Sequence, residues 1–123
     1  MFDAKKFVRS LKFAWRGIAG LARQEQSFRL QLVAAAAVLV LIFAFGLSRS
    51  ETALLVVVAT SVLVLELLNS AVERLVDLFK PRIHHYAEEI KDMMAGAVFV
   101  GSVGAAIVGW IVFWPHLAAA LGR

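Results

Sequence analysis

The 123-residue sequence has no cysteine, which excludes a disulfide scaffold and any Cys–His nucleophile. It is also poor in charge. Asp, Glu, Lys and Arg make up 18% of the chain, against about 25% in a soluble domain. The first 29 residues lack a continuous apolar core, so a cleaved signal peptide does not describe them. What the chain has instead is hydrophobic residues, 61% of the total. A chain this short folds as one domain with a high surface-to-volume ratio and cannot hide that excess in a core. The same composition excludes disorder. A small integral membrane protein remains.

Its positive charge is unevenly placed. Of 13 Lys and Arg residues, Lys5, Lys6, Arg9, Lys12, Arg16, Arg23 and Arg29 precede the first long apolar run. Only Asp3 and Glu25 oppose them there. A net charge of +4 in a soluble protein would suggest nucleic acid. Beside apolar runs it points to an anionic membrane surface, and nucleic acid is discounted. Phe7, Leu11, Ala14, Trp15, Ile18, Leu21 and Ala22 form a helical stripe with the cations largely off it. That pattern predicts an amphipathic surface helix over about 4–24.

Leu30 to Ser48 is uncharged, long enough for a first span over about 29–48. Ser48-Arg49-Ser50-Glu51 reads as a turn. A second helix, about 51–79, carries Glu66 within it and keeps an apolar face down to Pro81, which marks a loop. The stretch from Met93 to Gly122 is broken only by His116, has Trp110 and Trp114 near its far end, and gives a third span over about 91–118. The architecture expected is thus all-α, three transmembrane helices and a surface helix in one domain, 1–123. Arg74, Lys80, Arg82 and Lys91 join the amino-terminal cations on one side, while Arg49 and Arg123 fall on the other. Positive-inside bias places the amino terminus in the cytoplasm and the carboxyl terminus outside.

Glu66, Asn69, Glu73 and Asp77 are spaced i, i+3, i+7 and i+11, which aligns them in one stripe of the second helix. Carboxylates in a bilayer are costly and mark function by default. Three on one face repel unless a cation sits among them, and hard oxygen ligands suit Mg²⁺. An ion-pair network with Arg74, Lys80 or Lys91 is the structural alternative. Lys91-Asp92 opens the third helix beside this stripe, where a lysine serves either as a phosphate clamp or as an anchor.

Glu66-Leu67-Leu68-Asn69-Ser70-Ala71-Val72-Glu73-Arg74-Leu75-Val76-Asp77, followed by Lys91-Asp92-Met93-Met94-Ala95-Gly96, resembles the prokaryotic diacylglycerol kinase family. Ala14-Trp15-Arg16-Gly17 and Glu25-x-x-Phe28-Arg29 extend the likeness over nearly the whole chain. The resemblance implies a homotrimer in the cytoplasmic membrane with sites at subunit boundaries, and transfer of the γ-phosphate of ATP to a membrane lipid alcohol. It implies Glu66 as general base, Asn69 and Ala95 at the lipid-positioning end, and Glu25 and Glu73 as Mg²⁺ ligands. Lys6, Arg9, Arg16, Glu25, Glu73, Asp77, Lys91 and Asp92 would serve the nucleotide. Phe13-Ala14-Trp15 and Met94-Ala95-Gly96 depart from the diacylglycerol-phosphorylating pattern, and the latter resembles the branch acting on undecaprenol. Both acceptors stay open, diacylglycerol taken first.

Weaker signals carry less. Gly96 to Ser102 has the outer spacing of a phosphate loop without its lysine and lies in an apolar span. Ala97, Gly101, Ala105 and Gly109 form a ridge for close helix packing. His84 and His85 read as part of a solvated loop. A non-enzymatic oligomeric pore would share the spans and basic ends, yet has no use for the acidic stripe.

Overall fold

The computed structural model describes residues 1–122, and Arg123 lies outside them. Three helices follow in chain order: α1 (Ala4–Gln24), α2 (Gln26–Phe45) and α3 (Arg49–Ala120). Asp3 caps α1, its Oδ1 accepting from the backbone N–H of Lys5 at 3.1 Å and Lys6 at 3.3 Å. One extended residue, Glu25 (φ −121°, ψ 122°), separates α1 from α2 and makes an elbow. Arg29 reaches back across it and donates to the carbonyls of Ala22 (2.7 Å) and Arg23 (3.1 Å), satisfying acceptors that the end of α1 leaves orphaned. At the other end of α2, Gly46 takes a left-handed conformation (φ 59°, ψ 50°), which residues with a Cβ rarely adopt. Ser48 and Glu51 then form a reciprocal capping box that starts α3.

A straight helix of 72 residues would be about 108 Å long. Yet Glu51 lies 2.9 Å from His116, and Asp77 lies 2.7 Å from Lys91. Leu65 likewise abuts Gly101. The midpoints of these pairs fall at residues 83–84, so α3 folds back on itself there into two antiparallel arms, 49–82 and 84–120. Ile83 is the one residue inside α3 with non-helical dihedrals (φ −120°, ψ 20°). Pro81, two residues earlier, has no N–H to give the preceding turn. The chain reverses with hardly any loss of helix.

Contacts from α2 set the third rod. Ser27 and Gln31 meet Glu66 near the elbow, while Ile42 meets Leu55 near Gly46, so α2 runs antiparallel to the first arm. Ile42, Leu55 and Val112 form a small core backed by Val38, Val108 and Phe113. Elsewhere the rods expose Leu39, Val40, Phe43, Val57, Val64, Phe99, Val100 and Ile107. An exterior of this kind suits lipid, where each backbone polar group must be satisfied within its own helix. Thr60 and Ser61 comply by donating to carbonyls one turn back. Both α2 and α3 are long and apolar enough to cross a membrane.

The chain departs from the sequence expectation at its connections. The turn lies at Gly46–Ser48, and Arg49, Ser50 and Glu51 already belong to α3. Residues 82–90, expected as a loop, are helical apart from Ile83, so His84 and His85 sit exposed on a helix with their rings 4.1 Å apart. Pro81 deletes only one hydrogen bond and does not end the helix, and the second arm resumes at once after Ile83.

A Cβ at Gly101 would lie 2.5 Å from Leu65 Cδ1. Gly101→Val should therefore push the Leu65 side chain out of its place and destabilise the chain by about 1–3 kcal/mol. Leu65→Ala in the same chain should recover part of that loss in a detergent-unfolding double-mutant cycle.

Candidate active site

Glu66 is 4% exposed although it carries a carboxylate. Removing such a group from water is tolerable only if protein donors replace the water. Two do. Ser27 Oγ donates to its Oε1 at 2.8 Å and Gln31 Nε2 to its Oε2 at 3.2 Å. Ser27 and Gln31 are i and i+4 on α2, so they share the face turned to the first arm. No cation takes part in this triad. The remaining polar atom of Gln31, Oε1, is buried with no partner.

One turn further along α3, Ser70 is 1% exposed and donates to Glu25 Oε2 at 2.8 Å. Arg74 Nη1 stands 3.8 Å from Glu25 Oε1 and donates to the Ser70 carbonyl at 3.2 Å, while Nη2 donates to Gln24 Oε1. The elbow residue Glu25 is thereby tied to α3, and two carboxylates come within about one helical turn of each other. Beside them a cleft of about 370 Å³ opens between α1 and the first arm, lined by Arg16, Gly17, Gly20, Gln24, Ser70 and Arg74.

The other expected residues are spread more widely. Asn69 is half-buried, and Glu73 and Asp77 are exposed. Asp77 pairs with Lys91, an ion pair between the two arms. Asp92 and Ala95 are exposed on the second arm. Lys6 and Arg9 lie on the exposed part of α1, and the Arg16 guanidinium stacks 5.4 Å from the Phe13 ring. Among the described residues no three His, Asp or Glu side chains gather into a group able to hold a metal ion. Glu25 and Glu73 keep free carboxylate lone pairs. Mg²⁺ commonly takes one or two carboxylates and completes its shell with water and phosphate oxygens, so the carboxylate chemistry of either residue fits an ion that arrives with phosphate.

The model of the prokaryotic diacylglycerol kinase family matches residues 12–113, which contain Glu25, Glu66, Ser70, Glu73, Asp77 and Lys91. The chain belongs to that family. Among its relatives, an undecaprenol kinase of Bacillus subtilis (strain 168) is 38% identical over 115 residues, 94% of each chain. A diacylglycerol kinase of Synechocystis is 31% identical over 93% of this chain and 66% of its own length. The diacylglycerol kinase of Escherichia coli K12 is 27% identical over 90% and 91%. This prokaryotic diacylglycerol kinase family member is thus a membrane enzyme of lipid metabolism, a phosphotransferase with an alcohol group as acceptor. Membership in a kinase family removes the ground for the pore reading.

Ser27, Gln31, Gln24, Ser70 and Arg74 were not singled out from the sequence as site residues. The signal available was spacing: Ser27 and Gln31 are two amide- or hydroxyl-bearing residues at i and i+4 on the face of a helix about to enter lipid. Ser70→Ala should leave Glu25 without its neutral donor and lower stability by about 1.5–3 kcal/mol, the range for a hydrogen bond to a charged group. Reversible unfolding in detergent measures it, and Ser70→Thr should lose less.

Proposed function

We propose that this enzyme transfers the γ-phosphoryl group of Mg-ATP to the hydroxyl of a membrane lipid, with Glu66 as general base. The observation that carries the proposal is the burial of Glu66 with two neutral donors and no cation. A carboxylate neutralised by Arg or Lys is a poor proton acceptor, and this one is not neutralised. The lipid O–H bond breaks as its proton passes to Glu66, the lipid oxygen bonds to the γ-phosphorus, and the bond from that phosphorus to the bridging oxygen breaks. ADP leaves. Such a transfer needs in-line positioning and charge neutralisation more than covalent help. Mg²⁺ bound with the nucleotide, held by Glu25 and Glu73, would supply the neutralisation. Arg16, Arg74 and the elbow cleft offer cations to the phosphate chain, and Lys91, Asp92, Lys6 and Arg9 would serve the nucleotide.

In this reading α2 and the two arms of α3 are three spans of a single domain, with the amino terminus and the Ile83 reversal in the cytoplasm and the carboxyl terminus outside. The exposed stripe of α1, Trp15 at 71% among it, supports a helix lying on the anionic inner surface. Glu73 and Asp77 are left uncovered by their own chain, which agrees with homotrimeric sites completed by a neighbouring subunit. The acceptor proposed first is diacylglycerol, giving phosphatidic acid. Undecaprenol is the second reading, favoured by Ala95 after Met94 and by 38% identity to an undecaprenol kinase.

Glu66→Gln should fold and bind Mg-ATP but lose phosphoryl transfer by about 10²–10⁴-fold, the usual worth of a general base. Nucleotide binding followed by fluorescence, beside a transfer assay with labelled ATP, separates the two effects. Turnover like that of the wild type would remove Glu66 from the role.

A further inference from the structure

The elbow carboxylate has two unlike partners. Ser70 Oγ, almost wholly buried, donates to Glu25 Oε2 at 2.8 Å. Arg74 Nη1 stands 3.8 Å from the other oxygen, Oε1, in charge contact but beyond a normal hydrogen bond. The Arg74 side chain is 53% exposed and that of Glu25 26%, so water screens the pair and its attraction is weak. Neutral groups hold Arg74 in place instead. Nη1 donates to the Ser70 carbonyl at 3.2 Å, and Nη2 donates to Gln24 Oε1. Both acceptors are uncharged, so they keep the guanidinium beside Glu25 and leave its charge uncompensated.

A guanidinium so placed opposes any divalent cation that approaches Glu25 Oε1, because like charges repel. Polyphosphate changes that balance. A guanidinium binds phosphate oxygens through paired, charge-assisted hydrogen bonds, which are stronger than its screened contact with Oε1. Arg74 lines the elbow cleft together with Arg16, so a phosphate entering there meets cations from α1 and from the first arm. We propose that Arg74 makes Glu25 selective for a divalent cation that arrives with a nucleotide. It opposes the bare ion, and phosphate relieves the opposition by engaging the guanidinium. This rests on the reading of Glu25 as a Mg²⁺ ligand. Arg74 is then a specificity-determining residue that couples ion to nucleotide, and linkage makes the coupling equal from either side.

The test is binding of Mn²⁺, a paramagnetic substitute for Mg²⁺, to the full-length protein in detergent. Electron paramagnetic resonance follows it with and without a non-hydrolysable ATP analogue. Arg74→Gln should bind Mn²⁺ alone about threefold more tightly, in line with an exposed charge contact. The analogue should then tighten Mn²⁺ binding less than it does in the wild type. Arg74→Lys keeps the charge and should bind the bare ion as the wild type does. Arg49→Gln removes a cation at the start of α3, far from the elbow, and should change neither value. Glu25→Gln should weaken Mn²⁺ binding about tenfold. If it does so while Arg74→Gln leaves bare-ion affinity unchanged or weaker, the selectivity proposal is overturned and the ligand reading stands. If Glu25→Gln binds Mn²⁺ as the wild type does, the ligand reading falls and takes the proposal with it.

Discussion

A carboxylate enclosed by helices of Leu, Val and Ala must find its hydrogen bonds inside the protein. Glu66 meets that demand through Ser27 and Gln31, and doing so fixes how α2 lies on the first arm of α3. A slip of one residue along α2 would turn both donors away from the carboxylate. The register between these helices is therefore set by a polar contact, while their apolar faces would tolerate several alignments. The neighbouring contact, Ser70 with Glu25, fixes the elbow in the same way and so orients α1.

Depth explains why the acidic residues behave differently although they share one helical face. Glu66 is level with the first turns of α2, so that helix covers it. Ser70 is level with the elbow. Glu73 and Asp77 lie beyond the start of α2, where the first arm continues towards Ile83 without that cover, and they are exposed. Asp77 finds Lys91 only because the second arm folds back beside it. Antiparallel arms carry the buried carboxylate, the elbow carboxylate and the exposed pair in sequence along one edge. Under the proposed function, that order lets an acceptor reach Glu66 from the bilayer and a nucleotide approach from the water.

Much of this was legible in the sequence. The stripe from Phe7 to Ala22 announced α1, and a charge at 66 inside an apolar run announced the buried carboxylate, because burial of Glu is too costly to be incidental. Its partners were hidden for the converse reason. Ser27, Gln31 and Ser70 are uncharged, and such residues are common at the ends of membrane helices, so nothing in their type separates a ligand from a cap. A connection after Pro81 was legible, but not that helix would run through it up to Ile83 on one side and from His84 on the other. The chain bends where one residue leaves helical dihedrals, and no residue type dictates that at Ile83.

The central claim of the proposed function is that a lipid hydroxyl gives up its proton at Glu66. The most direct measurement is phosphate transfer from labelled Mg-ATP by the purified wild-type protein in mixed micelles holding diacylglycerol or undecaprenol. Formation of a lipid phosphate with at least one of the two, dependent on Mg²⁺, is the predicted result. Phosphorylation of neither lipid would contradict the account.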